Sequence, residues 1–289
     1  MMNIPNNDSI LEIERLSQRV EIITKGGKQV WHVWNKSAHE STKDVRDTET
    51  KLILLHGGSG SWTHWLRNIR ELSQKREVWA LDIPGFGDSD LPQNAKDVDD
   101  LVPFVLEGLE YVGQGSGLDL VGFSFGGLLA GFIAAQSPAI INKLILVGVP
   151  GLGLTGKPLP LRGLRSDMVK SEISDVQRHN LKVMMLANEY MIDEATLELQ
   201  QKNIKRDRLK RRRIARSDVL LELQKRWTAP VYAIWGELDA LYLGRMDEIE
   251  GKFKSCDLRS FQTIAGAGHW VQYEQAKLFN SCLENILNN

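Results

Sequence analysis

The sequence predicts an α/β fold: a mostly parallel central sheet with helices on both faces, and a helical segment inserted late in the chain. Three observations carry this. Short, continuous apolar runs recur from residue 52 onward, and stretches of helical period separate them. The pattern is interrupted once, between Pro150 and Pro230, by a Gly/Pro-rich linker and then charged residues with no strand among them. Continuous rather than alternating apolar runs mark strands buried on both faces, as in a parallel sheet covered by crossover helices.

Taken in order, "RVEIITKGGKQVWHVWNK" reads as a β-hairpin turning at Gly26 and Gly27. "LILLH" at 52 to 56, "VWALD" at 78 to 82, "LDLVG" at 118 to 122 and "LILVGV" at 144 to 149 follow as buried strands. Val98 to Val112 and Phe125 to Gln136 are the intervening helices that the pattern makes plainest. After the linker "PGLGLTGKPLPLRG", Ser171 to Arg226 reads as consecutive polar helices, a lid over the edge of the sheet. "VYAIWG" at 231 to 236 and "LRSFQTI" at 258 to 264 then resume the strands. The chain thus divides into core at 1–150 and 230–289, with a helical cap at 151–229.

Between the strand at Leu118 and the helix at Phe125 stands "GFSFGG", which puts Ser124 on a strand-to-helix turn. Such a turn is so tight that the positions two before and two after the serine must lack bulk, as Gly122 and Gly126 do. The hydroxyl is then held out at a helix N-terminus, where free backbone amides and the helix dipole favour developing negative charge. A packing turn with an incidental serine would look the same in isolation, so the serine needs partners.

A nucleophilic serine requires a base to take its proton and a carboxylate to orient that base. Of six histidines, His32 lies in the hairpin, His39 in a polar loop beyond it, and His179 in the insertion. His56 and His64 flank a glycine-rich loop, while His269 follows "FQTIAGAG", a strand running into a small-residue loop. Ligands in parallel sheets bind at the carboxyl ends of the strands, which favours His269. By the same reasoning Asp239 in "VYAIWGELDA" is the acid, with Glu237 its nearby competitor. The order Ser124, Asp239, His269 is the one this architecture uses. "LLHGGSGSW" also follows a strand, so its glycines let backbone N–H groups approach substrate. The amides of Gly58 and Phe125 are the candidate oxyanion donors, and Gly57, Ser59 and Trp270 the further candidate substrate contacts.

With these motifs together, the chain resembles the α/β-hydrolase family over nearly its whole length: "HGG", "DIPGFGDSD", "GFSFGG", "WGELDA" and "GAGHW" stand in family order. The resemblance implies Ser124 as nucleophile, His269 as base, Asp239 as orienting acid, and Gly58 and Phe125 as oxyanion amides. Near the end, "GHWVQYEQAKLFN" is similar to hydrolases that cleave carbon–carbon bonds in ring-fission products. "HGGSGSWTHW" is shorter than the oxyanion loop of that subfamily.

Three functions follow as expectations. The first is a serine hydrolase forming an acyl-enzyme on a small ester or lactone. The second is a carbon–carbon bond hydrolase acting on vinylogous 1,5-diketones, and the third a non-catalytic small-molecule receptor on the same fold. No metal or organic cofactor is implied.

The bulk properties narrow the partners. A formal net charge of −1 gives no overall pull toward nucleic acid or membrane. No apolar run is long enough to span a bilayer, and "MMNIPNNDSILEIERL" lacks a secretory pattern. Cys256 and Cys282 form no disulfide framework, so a reduced, cytoplasmic enzyme with a small-molecule substrate is expected, whether as a monomer or a homo-oligomer. "GLGLTGKP" nearly spells a phosphate loop, but Pro158 replaces the required Ser/Thr. The basic run "IKRDRLKRRRIAR" at 204 to 216 reads as a lid helix, either solvated or turned toward substrate. If part of it faces inward, the substrate should carry a carboxylate. Trp62, Trp65, Trp79 and Trp235 are expected in the core, and Trp270 at the pocket border.

Overall fold

The structure, a computed structural model, describes residues 7–35, 50–154, 158–209 and 211–289. His39, Lys157 of the near phosphate loop and Lys210 of the basic run lie outside the described residues.

β1 (Gln18–Thr24) and β2 (Gly27–Trp34) form the expected hairpin at one edge of an eight-stranded sheet. β2 pairs antiparallel with β4 (Val78–Asp82), and from there every pairing is parallel. β4 joins β3 (Lys51–Leu55), then β5 (Leu118–Phe123), β6 (Ile141–Val147), β7 (Val231–Gly236) and β8 (Leu258–Ile264). This is the mostly parallel α/β sheet that the apolar runs predict.

The helices cover both faces. α1 (Asn7–Arg15), α2 (Leu66–Leu72), α9 (Val271–Glu274) and α10 (Ala276–Asn288) share one core cluster with Leu52 and Leu54. α3 (Val102–Gly113), α4 (Phe125–Gln136), α7 (Val219–Leu223) and α8 (Met246–Glu250) share the other with Ile53 and Leu55. Consecutive residues of β3 therefore feed opposite cores. Each fully buried aliphatic side chain contributes about 1.5–3 kcal/mol over the exposed state. A one-residue slip would exchange the two faces along the whole strand, so packing as well as hydrogen bonding fixes the register.

That register aligns the carboxyl ends. Leu55 stands beside Gly122, Gly122 beside Leu146, Val147 beside Ile234, and Gly236 beside Ile264. The loops after β3, β5, β7 and β8 leave from one edge, and these are the loops that carry Gly58, Ser124, Asp239 and His269.

Between β6 and β7 lie α5 (Lys170–Asn180), α6 (Glu194–Lys205) and α7. Their segment is tied to the core by buried polar contacts. Ser61 Oγ donates to Asn203 Oδ1 (2.8 Å), Asn203 Nδ2 donates to Thr63 Oγ1 (3.0 Å), and Thr196 Oγ1 meets the Tyr273 hydroxyl (2.8 Å). The basic run departs from expectation. α6 stops at Lys205, and beyond it the described residues are irregular but for one turn at Ile214–Arg216. Core groups take the backbone donors that a continuing helix would need. The Arg208 N–H donates to the Gly85 carbonyl (2.8 Å), and the Asp97 carboxylate accepts from the N–H groups of Arg213 (2.6 Å) and Ile214 (3.2 Å). Adjacent guanidinium groups repel as well, which disfavours a helix there.

Candidate active site

The turn at Ser124 is strained, with φ +50° and ψ −114°, a conformation L-residues seldom adopt. It persists because its surroundings admit no alternative. The Ser124 N–H donates to the Val147 carbonyl (2.8 Å), tying the turn to β6. A Cβ on Gly122 would lie 2.5 Å from the Gly126 carbonyl oxygen, and one on Gly126 would lie 2.5 Å from the carbonyl oxygens of both Leu55 and His56. The two glycines are thus demanded by backbone packed against backbone, the steric reason inferred from the sequence.

Three expected side chains come together. Ser124 Oγ lies 2.9 Å from His269 Nε2, and His269 Nδ1 lies 2.8 Å from Asp239 Oδ2. Asp239 is wholly buried, and its other oxygen accepts from the Leu241 N–H (2.9 Å). In that network Nδ1–H donates to the carboxylate, and Nε2 is left to accept a hydrogen bond from the Ser124 hydroxyl. Glu237, the competing acid, is exposed, and it accepts from the Gly266 N–H (3.0 Å) instead. The ring of Phe123 packs at 5.1 Å from that of His269. Glu274 receives the N–H groups of Gly268 (2.6 Å), Ala187 (3.2 Å) and Asn188, so one buried carboxylate ties the histidine loop to the segment before α6.

The glycine-rich loop after β3 is held by two histidines. His56 Nε2 accepts from the Ile83 N–H (2.9 Å) and its Nδ1–H donates to the Gly57 carbonyl (2.7 Å). His64 Nδ1 accepts from the Gly57 N–H (3.2 Å). Both polar groups of Gly57 are therefore engaged in shaping the loop. Burial lowers His56 to about 4 and drives His64 well below the ordinary histidine range, with His56 and His269 adding to the effect. Both rings stay neutral, as their acceptor roles require. Among the described residues, no acceptor takes the backbone N–H of Gly58 or of Phe125.

The remaining candidates are placed as follows. Ser59, at φ +51°, donates its hydroxyl to Asp207 Oδ2 (2.6 Å) and accepts from Arg212 Nη1 (3.3 Å). Trp270 is fully buried; it stacks on Tyr273 at 4.1 Å and donates to the His64 carbonyl (3.0 Å). Trp62, Trp65, Trp79 and Trp235 are buried in the core. Sequence reasoning gave no role to His64, and it read Asp207 and Arg212 only as part of a basic run, solvated or turned toward substrate. A histidine eight residues after His56 carries no local signal, and an Asp/Arg pair within a basic run looks like any solvated ion pair.

The sequence profile of the alpha/beta hydrolase family matches residues 52–281. A 2-hydroxy-6-oxononadienedioate/2-hydroxy-6-oxononatrienedioate hydrolase from Paraburkholderia phymatum is 26% identical over 97% of this chain and 99% of its own length. Among solved structures, a carboxylesterase from Bacillus subtilis superposes with a TM-score of 0.70 at 19% identity, covering 97% of this chain and 95% of that one. A meta-cleavage product hydrolase from Pseudomonas fluorescens superposes with a TM-score of 0.69 at 20% identity, covering 93% and 97%. Among the described residues no helix is long and apolar enough to cross a membrane.

Proposed function

The chain belongs to the alpha/beta hydrolase family, and from that premise we propose that it is a serine hydrolase acting through an acyl-enzyme on small ester or lactone substrates. The observation that carries this reading is the hydrogen-bonded row Ser124–His269–Asp239, at 2.9 and 2.8 Å, beginning at a strained serine. Ser124 Oγ attacks the carbonyl carbon while His269 Nε2 takes its proton, and the imidazolium so formed is held by Asp239. The Gly58 and Phe125 amides face the developing oxyanion, where each such donor is worth on the order of 3 kcal/mol of barrier. His269 then protonates the leaving group, and water activated by the same ring releases the acid. Residues 151–229 act as the cap that shapes the pocket.

A second reading has its own support: the relative from Paraburkholderia phymatum, matched over nearly the full length of both chains, is named for a dienedioate hydrolase. The same residues would then cleave a carbon–carbon bond, with the enol product's carbon as leaving group. Turnover of p-nitrophenyl esters, lactones and a vinylogous 1,5-diketone separates the two. Labelling by a fluorophosphonate probe, abolished in Ser124→Ala, tests the shared premise. A protein that neither labels nor turns over any of these substrates would instead be a receptor on a hydrolase fold.

A further inference from the structure

A cavity of about 640 Å³ is lined by Arg211, Arg212, Arg213 and Arg216, with Asp207 the one acid among the described lining residues. Resting on the hydrolase reading above, we propose that this cavity receives an oxyanion group of the substrate, a carboxylate or a phosphate, borne at a distance from the scissile carbonyl.

The cavity adjoins the strand-end site through Arg212. That guanidinium donates to Ser59 Oγ (3.3 Å) and lies over the rings of Phe86 and Phe125, at 5.2 and 5.8 Å. A Cβ built on Gly58 would meet its Nη1 at 3.0 Å. The residue that follows the nucleophile and the loop that faces the oxyanion are therefore both in contact with one arginine.

Charge in the cavity is unbalanced. Asp207 pairs with Arg212, whereas among the described residues no carboxylate pairs with Arg211, Arg213 or Arg216. Arg212 Nε and Asp207 Oδ1 are buried without a hydrogen-bond partner. Leaving a buried N–H of a charged group unsatisfied is costly, and so is holding guanidinium groups together without anions. An oxyanion supplies acceptors for Arg212 Nε and for the unpaired guanidinium groups, and arginine is the side chain whose planar fork fits carboxylate and phosphate. The arginines are not on a free-moving tether. Asp97 fixes the backbone of Arg213 and Ile214, Gly85 fixes that of Arg208, and Leu209 between them is buried.

The test uses three p-nitrophenyl esters of matched length: the neutral pentanoate, the glutarate monoester and the 4-phosphonobutanoate. At low salt, one or both anionic esters should exceed the pentanoate in kcat/KM by about ten- to a hundredfold, the range for a charge-assisted hydrogen bond. Which of the two leads identifies the group. The preference should shrink in roughly 0.5 M salt, where screening acts within a few ångströms. Arg212→Gln should return the ratio of anionic to neutral kcat/KM close to one, and Arg216→Gln, at an exposed side chain, should reduce it in part. A ratio near one in the wild type at both salts would overturn the proposal, as would Arg212→Gln slowing all three esters by one factor. Calorimetric titration of Ser124→Ala with glutarate and with inorganic phosphate reads the cavity without turnover. A protein that binds either anion in an Arg212-dependent way, yet is inert to every ester and to fluorophosphonate, would keep the cavity site and sink the hydrolase reading. If the esters are inert and neither anion binds, both fail.

Discussion

The turn between β5 and α4 and the irregular arginine-bearing loop between α6 and α7 border one site, and they are specified in opposite ways. At the turn, the constraint is a steric demand on residue type, made where β3 and β6 pack directly against it. Ser124 sits at φ +50° because Gly122 and Gly126 let backbone approach backbone at distances no Cβ allows. In the arginine loop the constraints come from far along the chain: Ser59, Gly85 and Asp97 fix Asp207, Arg208, Arg213 and Ile214. A position that admits only glycine leaves a pattern in the sequence, wherever its neighbours come from. Long-range hydrogen bonds to a basic stretch leave none.

Substitutions in the two regions should differ in kind as well as size. The largest effect is expected in the core row. Asp239→Asn should lower kcat by about a thousandfold or more, because the amide no longer holds the required tautomer of His269. Glu237→Gln, on an exposed side chain, should stay within about twofold. A severe Glu237→Gln with a mild Asp239→Asn in the same esterase assay would reassign the acid.

Next comes the turn itself. Gly126→Ala pushes a methyl group against two carbonyl oxygens and should cost on the order of 3 kcal/mol of stability, read by urea denaturation. A variant as stable as the wild type would mean that the turn is not sterically locked, and the contrast with the arginine loop would weaken.

A third effect follows from the buried rings. Burial lowers both His32 and His56 to about 4, against 6.5 when exposed. A depressed histidine binds its proton more readily in the unfolded chain. The stability gained from keeping it neutral is therefore full above about pH 6.5 and is lost as the pH falls toward 4. By pH 5 the loss should reach about 2 kcal/mol per ring. The fall in unfolding free energy between pH 7.5 and 5 should therefore be smaller in His56→Gln by about that amount, and an unchanged slope would show that the ring is not held neutral.

The smallest effect belongs to the contacts that tie the inserted segment to the core. Tyr273→Phe removes the hydroxyl bonded to Thr196, while Thr196 keeps its bond to the Met191 carbonyl at 3.0 Å. One hydrogen bond of this kind is worth about 1 kcal/mol, so Tm should fall by only a few degrees. A loss as large as that of Gly126→Ala would mean that core and inserted segment are fixed with equal strength.

The sheet was legible from residue order alone, because strands buried on both faces must be written as continuous apolar runs, and "LILLH", "LDLVG" and "VYAIWG" are such runs. So was the place of Ser124, because only glycine fits at Gly122 and Gly126. The rest was settled by how distant segments pack. The parallel register of β5, β7 and β8 set Ser124, Asp239 and His269 within hydrogen-bond reach and turned Glu237 outward to Gly266. Folding brought His64 onto the Gly57 amide, 7 residues away, and Arg212 onto Ser59, 153 residues away. Among its described residues, the basic run leaves the helix after Lys205, where Asp97 and Gly85 capture its backbone groups. A pattern of residue types encodes what a segment does with its own neighbours. Which distant groups will be within 3 Å of it is settled by packing, which no local pattern records.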